Sequence, residues 1–397
     1  MWVMASRAAF DEDMEHRQRA AALAAQALRS GRLAIFPTET VYGVGASTAS
    51  EEGLKALRRF KDRDDGRPFT VHVPDTQSLA RYIDLSPSLL ARLIRKTLPG
   101  PLTLVVEQSP AVIEAKVRDL LREGLFPGLD WRSDEAVATV RDRLYHENAI
   151  GLRVPDHPLA TQVLAAVEAP VVASSVNRRS EPPAVDYARC VEVAGGEVQA
   201  IVDGGRSRFA RASTIVRVAL LAGEAKMTVE REGVFDARFL DKLRVETVLI
   251  VCSGNTCRSP MGAAIARQLL AEQRGVSPAE LDAAGVRVLS AGTSAMEGTP
   301  ATPEAVEAMR RRGLDLSGHR STPLTPAMLH EADAVFCMTS SHRRTVLAMA
   351  PSVAGRVHPV DPEADVQDPF GGDTTDYERC AAQLRKGLER QLKEAMK

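Results

Sequence analysis

The most reactive pattern in the chain is Cys252-Ser253-Gly254-Asn255-Thr256-Cys257-Arg258-Ser259-Pro260. A loop between a strand and a helix turns successive backbone N–H groups inward, and the helix start adds partial positive charge. Arg258 adds a planar fork that can grip two phosphate oxygens. The pattern reads as a phosphate cradle built around a sulfur atom. The same field should hold the Cys252 thiol below its free value and make it a nucleophile. Phosphoryl transfer to sulfur needs an acid for the leaving group and then a base for water. Asp368, in Val366-Gln367-Asp368-Pro369-Phe370-Gly371-Gly372, sits in a turn-rich loop suited to that work.

A second set of residues precedes it. Phe36-Pro37-Thr38-Glu39-Thr40-Val41-Tyr42-Gly43-Val44-Gly45 ends in small residues that admit a ligand to the backbone. Lys61 and Arg63 share one side of an extended segment and can grip phosphate or bicarbonate; cations answering a helix dipole are the equal alternative. Ser174-Ser175-Val176-Asn177 falls where a strand's carboxyl end would deliver it to a crevice, with capping of its own turn the equal alternative, and Arg153 in Ile150–Pro155 and Ser213-Thr214 complete the set.

These groups need rigid supports. Val248–Val251, Val286–Leu289 and Ala334–Cys337 read as strands, alternating with amphipathic helices over Pro260–Gln273, Pro303–Arg312 and Ser340–Met349. That rhythm implies a parallel sheet covered by helices, closed by a surface helix from Tyr377 to Lys397. The earlier part predicts helices over Glu15–Ser30 and Glu51–Phe60, and strands at Leu33–Phe36, Val71–Val73, Leu102–Val105 and Pro170–Ala173. The chain therefore reads as α/β in both parts, with a boundary near Arg244; the families it resembles, named below, imply a twisted mixed sheet with helices over residues 1–244 and a four-stranded, Rossmann-like parallel sheet with a phosphate-binding loop over 245–397.

At 397 residues, with 44% apolar and 26% charged, the composition disfavours disorder and a fibrous architecture and suits two or three domains. Fifty-one Lys and Arg against 52 Asp and Glu leave no global field for nucleic acid or membrane, so anions must be met locally. Five sparse cysteines suggest a reducing cytoplasm rather than a disulfide framework. The start, Met1–Phe10, runs at once into Asp11, Asp13 and Glu15 without a hydrophobic signal core, and no run is long enough to span a bilayer.

From about Val245 onward the sequence resembles the low-molecular-weight protein tyrosine phosphatases. The match carries Cys252 to Ser259, Ser290-Ala291-Gly292-Thr293, Ala332-Asp333 leading to Met338-Thr339, and Asp368 to Gly372, in the family's order. The resemblance implies that Cys252 is the nucleophile, Arg258 the phosphate clamp and Asp368 the acid and then base. Ser253, Gly254, Asn255, Thr256, Cys257 and Ser259 complete the loop, Asn255 shaping it and Ser259 donating to the thiolate, with no metal or other cofactor. Members acting on phosphoarginine carry Thr where many tyrosine phosphatases carry a larger aliphatic residue, and Thr256 resembles the former; both substrates stay open. Cys257 is either a partner for a reversible disulfide with Cys252 or a small buried residue. Arsenate reductases share the loop but need relay cysteines, and Cys337 and Cys380 do not form the close pair expected. A phosphate-binding module without turnover is disfavoured by Cys252, Arg258 and Asp368 standing together.

Across roughly Glu15 to Arg244 the sequence resembles the YrdC-like threonylcarbamoyl-adenylate synthases, through Pro37 to Gly43, Lys61-x-Arg63, Pro99-Gly100-Pro101-Leu102-Thr103, Arg153-Val154-Pro155, Ser175-x-Asn177 and Ser213 to Val216. The implied reaction joins L-threonine, bicarbonate and ATP, with Mg²⁺ on the phosphates, and feeds a tRNA modification. Thr40, His72, Arg153 and Ser213 would surround threonine; Lys61, Arg63, Ser175, Asn177 and Arg231 would meet ATP or bicarbonate. Implied partners are a phosphorylated protein and tRNA or its modification proteins, with double-stranded RNA binding. An RNA-binding module without synthase turnover is the alternative. The chain departs from the family at Arg67-Pro68, at Arg178-Arg179-Ser180-Glu181 after Asn177, and across about Ala111 to Asn148, which reads as added helical sequence.

Overall fold

The computed structural model describes every residue except 1, 64, 87, 179, 222, 223, 396 and 397. The chain divides into two compact units, Met1–Asp241 and Lys242–Lys397.

The first unit carries β1 (Ala34–Phe36), β2 (Gly43–Ser47), β3 (Thr70–His72), β4 (Leu102–Glu107), β5 (Ala149–Arg153), β6 (Val171–Ser175), β7 (Ala200–Ile201), β8 (Thr214–Leu221) and β9 (Glu224–Arg231). They form one mixed sheet in the order β7-β1-β2-β6-β3-β5-β4-β8-β9. A long helix, Trp2–Arg29, buries Ala21, Ala24, Ala25 and Leu28 against Phe36, Val163 and Val171. Small residues on that stripe let helix and sheet approach closely. The helix Glu51–Phe60 is set by its ends. Ser50 Oγ accepts the Gly53 N–H at 3.1 Å, and acids occupy the first turn and arginines the last. The segment after it is not extended: Asp62 takes a left-handed φ of 45°, so Lys61 and Arg63 leave in different directions. The stretch read as added sequence forms helices Pro110–Arg122 and Asp134–Leu144.

In the second unit β10 (Glu246–Cys252), β11 (Val286–Gly292), β12 (Ala334–Cys337) and β13 (Val357–Pro359) make an all-parallel sheet in the order β11-β10-β12-β13. β10 is buried along its whole length. Its alternate residues serve opposite cores: Val248 and Ile250 pack with Met261, Ile265 and Leu384, while Leu249 and Val251 pack with Leu329 and Val346. A strand covered on both faces reads as a continuous apolar run, as this one does. β10 has neighbours on both sides, so the strand order reverses at it. In open α/β sheets the crevice outside the carboxyl end of such a strand receives ligands. Cys252 is the last residue of β10. The final helix runs Thr374–Ala395; residues 396 and 397, also expected in it, lie outside the described set.

Candidate active sites

The loop after β10 leads into the helix Arg258–Arg274, whose N-cap is Cys257. Asn255 adopts φ 56°, a left-handed conformation that costs a non-glycine residue of the order of 1 kcal/mol. Its side chain holds it there. Nδ2 donates to Ser259 Oγ at 2.8 Å and Ser290 Oγ at 2.9 Å, and Oδ1 accepts the Thr322 N–H at 2.8 Å. His319 Nε2 donates to the Asn255 carbonyl at 2.7 Å. On the other side, Thr293 N and Ser294 N donate to the carbonyls of Cys252 and Ser253. A Cβ on Gly292 would stand 2.4 Å from Ser253 O, so only glycine lets β11 brace the loop.

Cys252 Sγ lies 2.9 Å from Ser259 Oγ and accepts the Asn255 N–H at 3.2 Å. Ser259 Oγ already accepts from Asn255, and its other acceptor, Ala291 O, is more distant at 3.4 Å. Its proton therefore points at sulfur. Arg258 is buried; Nη1 donates to Val366 O at 3.2 Å, and Nη2 pairs with Asp368 Oδ2. The nucleophile candidate, the clamp and the acid are thus brought together. The expected depressed thiol is corrected. Burial pushes Cys252 above its ordinary value; Ser259, Asn255 and Arg258 oppose this without cancelling it. Arg258 is at the same time engaged by Asp368, which is half exposed.

The remaining cysteines differ. Cys257 is buried and free, its sulfur 3.4 Å from Tyr377 Oη and 3.5 Å from Thr302 Oγ1. Burial pushes Cys337 and Cys380 up to about 12, so neither is a ready relay thiolate. Thr256 is half-buried at the loop's edge.

In the first unit a cavity of about 530 Å³ is lined by Arg63, His72, Arg153, Ser175, Asn177, Ser213 and Arg231 from the predicted set. Arg67, Thr38, Thr103 and Arg217 line it as well. Thr40 and Lys61 stand behind the wall. Arg153 Nη2 donates to Thr38 Oγ1 at 3.2 Å, to Glu39 Oε1 at 3.0 Å, and to Thr40 Oγ1. Its buried Nε has no partner among the described residues. Arg153 thus lines the cavity while Nη2 is held by all three acceptors.

Lys61 Nζ spends its three protons on Ser175 O, Asn177 O and Asn177 Oδ1, at 2.8, 2.9 and 2.7 Å. It orders the Ser175–Asn177 segment rather than reaching into the cavity. Burial, aided by Arg178 and Arg63, pulls it down to about 8. Arg63 pairs with Asp65 at 2.9 Å and lies over the Phe69 ring. His72 Nδ1 donates to Thr70 O at 3.0 Å, which leaves Nε2 as an acceptor. Burial and then Arg153 bring His72 down to about 3, so it is a neutral imidazole. Arg231 Nη2 donates to Ser213 O at 2.8 Å, and Thr103 Oγ1 lies 2.9 Å from Ser213 Oγ. The glycines of the first motif differ: Gly43 lines the cavity, whereas a Cβ on Gly45 would meet the Phe36 ring at 2.9 Å. Gly45 thus makes room for Phe36, not for a ligand.

Sequence reasoning passed over Glu39, although it lies inside a quoted motif. It is buried between Arg153 and the Asp156 N–H, which it accepts at 2.9 Å. It also passed over Arg217, held between Glu107 at 3.0 Å and Glu230 at 2.5 Å, and His342, which bonds Ser253 from 89 positions away. No local signal marks contacts of that reach. No described helix is long and apolar enough to cross a membrane, and no described cluster of three or more His, Cys, Asp or Glu is placed to hold a metal.

Two family models match the chain. One, described as telomere recombination (Sua5, YciO and YrdC), covers residues 26–125 and 133–233; the other, low molecular weight phosphotyrosine protein phosphatase, covers 247–397. The first match breaks at residues 126–132, inside the stretch Ala111–Asn148 read as added sequence. The probable low molecular weight protein-tyrosine-phosphatase EpsP of Ralstonia solanacearum is 35% identical over 147 residues, 36% of this chain and 92% of that protein. A putative threonylcarbamoyl-AMP synthase of Mycobacterium tuberculosis is 32% identical over 204 residues, 51% of this chain and 81% of that protein. The threonylcarbamoyl-AMP synthase of Pyrococcus abyssi is 28% identical over 194 residues, and the chain spans 49% of its length.

Proposed function

The chain belongs to the Sua5, YciO and YrdC family through its first unit and to the low molecular weight phosphotyrosine protein phosphatases through its second, and from that premise we propose that each unit catalyses its own reaction. Residues 1–244 are the synthase domain and 245–397 the phosphatase domain.

In the synthase, L-threonine, bicarbonate and ATP give threonylcarbamoyl-adenylate and pyrophosphate. The observation that supports this best is Arg153, a buried guanidinium on the cavity wall held at Nη2 by Thr38, Glu39 and Thr40. It takes the threonine carboxylate, the His72 Nε2 lone pair accepts from the amine, and Ser213 and Thr103 bound the side chain. Thr40 acts through Arg153. Arg63, Arg231 and the Ser175–Asn177 segment, ordered by Lys61, receive phosphates and bicarbonate, whose mutual repulsion needs cations to overcome. Glu230 is the one carboxylate on the described wall, and Arg217 engages it. Mg²⁺ therefore enters on the nucleotide, as part of that substrate. The product serves threonylcarbamoylation of tRNA, with RNA contact and a cytoplasmic setting.

In the phosphatase, the Cys252 thiolate attacks phosphorus as Asp368 delivers a proton to the leaving atom. The sulfur–phosphorus bond forms and the leaving bond breaks. Asp368 then takes a proton from water, which attacks the phosphocysteine and returns the thiolate. Arg258 and the loop N–H groups hold the phosphoryl oxygens throughout. Phe370, 71% exposed two residues beyond Asp368, offers a face for a planar group. Thr256 at the loop's edge favours phosphoarginine over phosphotyrosine, since a hydroxyl can accept from a guanidinium and an aliphatic wall cannot. The test is pyrophosphate release from ATP with and without threonine and bicarbonate, beside phosphate release from phosphoarginine and phosphotyrosine peptides. Threonine-dependent release and preference for phosphoarginine are expected; threonine-independent release, or a preference for phosphotyrosine, overturns the corresponding half.

A further inference from the structure

His342 is buried beside the thiol loop, yet the reaction derived above gives it nothing to do. It is the third residue of the helix Ser340–Met349, whose N-cap is Thr339. Thr339 Oγ1 accepts the His342 backbone N–H at 3.2 Å and lies 2.8 Å from Nδ1. The hydroxyl has a second lone pair as well as its proton, and we assign the arrangement in which it donates that proton to Nδ1. Nδ1 is then the acceptor, and the ring proton sits on Nε2, 2.8 Å from Ser253 Oγ. Arg258 Nη2 reaches the same oxygen at 3.4 Å. Two donors fill the lone pairs of Ser253 Oγ and leave its proton for a third group. Ser253 follows the nucleophile and is half-buried at the loop. The groups around the ring keep it neutral: burial and then Arg258 hold His342 low, against Asp368 and Asp365, and Asp365 is tied to Ser340 N at 2.8 Å.

We propose that His342 is a positioning residue of the phosphatase, fixing Ser253 Oγ so that its hydroxyl proton and the Arg258 guanidinium act on the same phosphoryl group. Ser253 becomes a phosphoryl-binding side chain, and His342 works through it. This rests on Cys252 and Arg258 being the thiolate and the clamp.

The test measures kcat, KM and inhibition by inorganic phosphate with 4-nitrophenyl phosphate, using the full chain. The variants are Ser253→Ala, His342→Phe, His342→Gln and Ser253→Ala with His342→Phe. A hydrogen bond to a charged group lost from the site corresponds to roughly tenfold or more in kcat/KM. Ser253→Ala and His342→Phe should each show that loss and a similar weakening of phosphate inhibition. The double variant should be no worse than Ser253→Ala, and His342→Gln, whose amide reaches the same oxygen, should recover most of the activity. A full His342→Phe loss persisting in the Ser253→Ala background overturns the proposal. So does Ser253→Ala with unchanged kinetics, or His342→Gln no better than His342→Phe. Should His342→Phe not fold, the proposal still requires an impaired Ser253→Ala and a nearly native His342→Gln. Turnover by Cys252→Ser would sink the nucleophile assignment itself, whatever the His342 variants do.

Discussion

Replacing Glu39 by glutamine tests the synthase wall most sharply. Glu39 Oε1 accepts from Arg153 Nη2 at 3.0 Å and Oε2 accepts the Asp156 N–H at 2.9 Å, with the two side chains 1% and 8% exposed. A glutamine there must set its N–H₂ against one of those donors, whichever way it turns. It also leaves Arg153 charged, buried and without its counter-ion. Breaking a buried pair on one side costs of the order of 3 kcal/mol, with desolvation of the stranded cation as the main part. For a unit of this size that is a fall of roughly 6–12 °C in melting temperature. The guanidinium also loses the anchor that holds it on the cavity wall, so the KM for threonine should rise about tenfold or more. Differential scanning calorimetry and threonine-dependent pyrophosphate release, both on the intact chain, measure the two effects. A melting temperature within roughly 2 °C of the native chain together with an unchanged threonine KM would refute the reasoning, because the pair would then neither stabilise nor aim anything.

Lys61 should impose a pH limb on the synthase. Below about 8 its ammonium serves three acceptors; above it, the amine has two protons and the Ser175–Asn177 segment loosens. ATP kcat/KM should fall as pH rises through that value, and Lys61→Arg should remove the limb; a flat native profile would contradict this. Its stability effect has the opposite sign. Between about 8 and the ordinary lysine value the unfolded chain binds a proton that the folded chain does not, so this group makes stability increase with pH there. Asp368→Asn should free Arg258 to act on the sulfur and lower the Cys252 pKa. Iodoacetamide should then alkylate that variant several-fold faster at neutral pH, while phosphatase turnover is lost; equal or slower alkylation would show that Asp368 does not compete with the thiolate for the guanidinium.

Much of the second unit was legible because its chemistry is local. The loop from Cys252 to Pro260 contains nucleophile, clamp and helix start within nine positions, and β10 is apolar on both faces because both are covered. β13 escaped notice: three residues ending in proline carry no periodicity. The first unit was harder to read, since its cavity is assembled from strands that pair far from sequence order, β3 lying between β6 and β5. Lys61 and Arg63 looked like a matched pair of cations until the left-handed turn at Asp62 separated them. Thr40, read as a ligand contact, has its hydroxyl bonded to Arg153. In both cases the polar side chain is engaged by another residue of the set, Lys61 by Ser175 and Asn177 and Thr40 by Arg153. The thiol was misjudged because the field of the loop was legible but the burial of the sulfur was not.

The central claim is that two separate reaction centres share this polypeptide. Its most direct measurement is a paired assay on Cys252→Ser and Arg153→Ala in the intact chain, reading phosphate release from a phosphorylated peptide and pyrophosphate release with threonine, bicarbonate and ATP. Cys252→Ser should abolish the first and keep the second, and Arg153→Ala should do the reverse. Loss of both activities in either folded variant, or survival of peptide hydrolysis without the Cys252 sulfur, would contradict it.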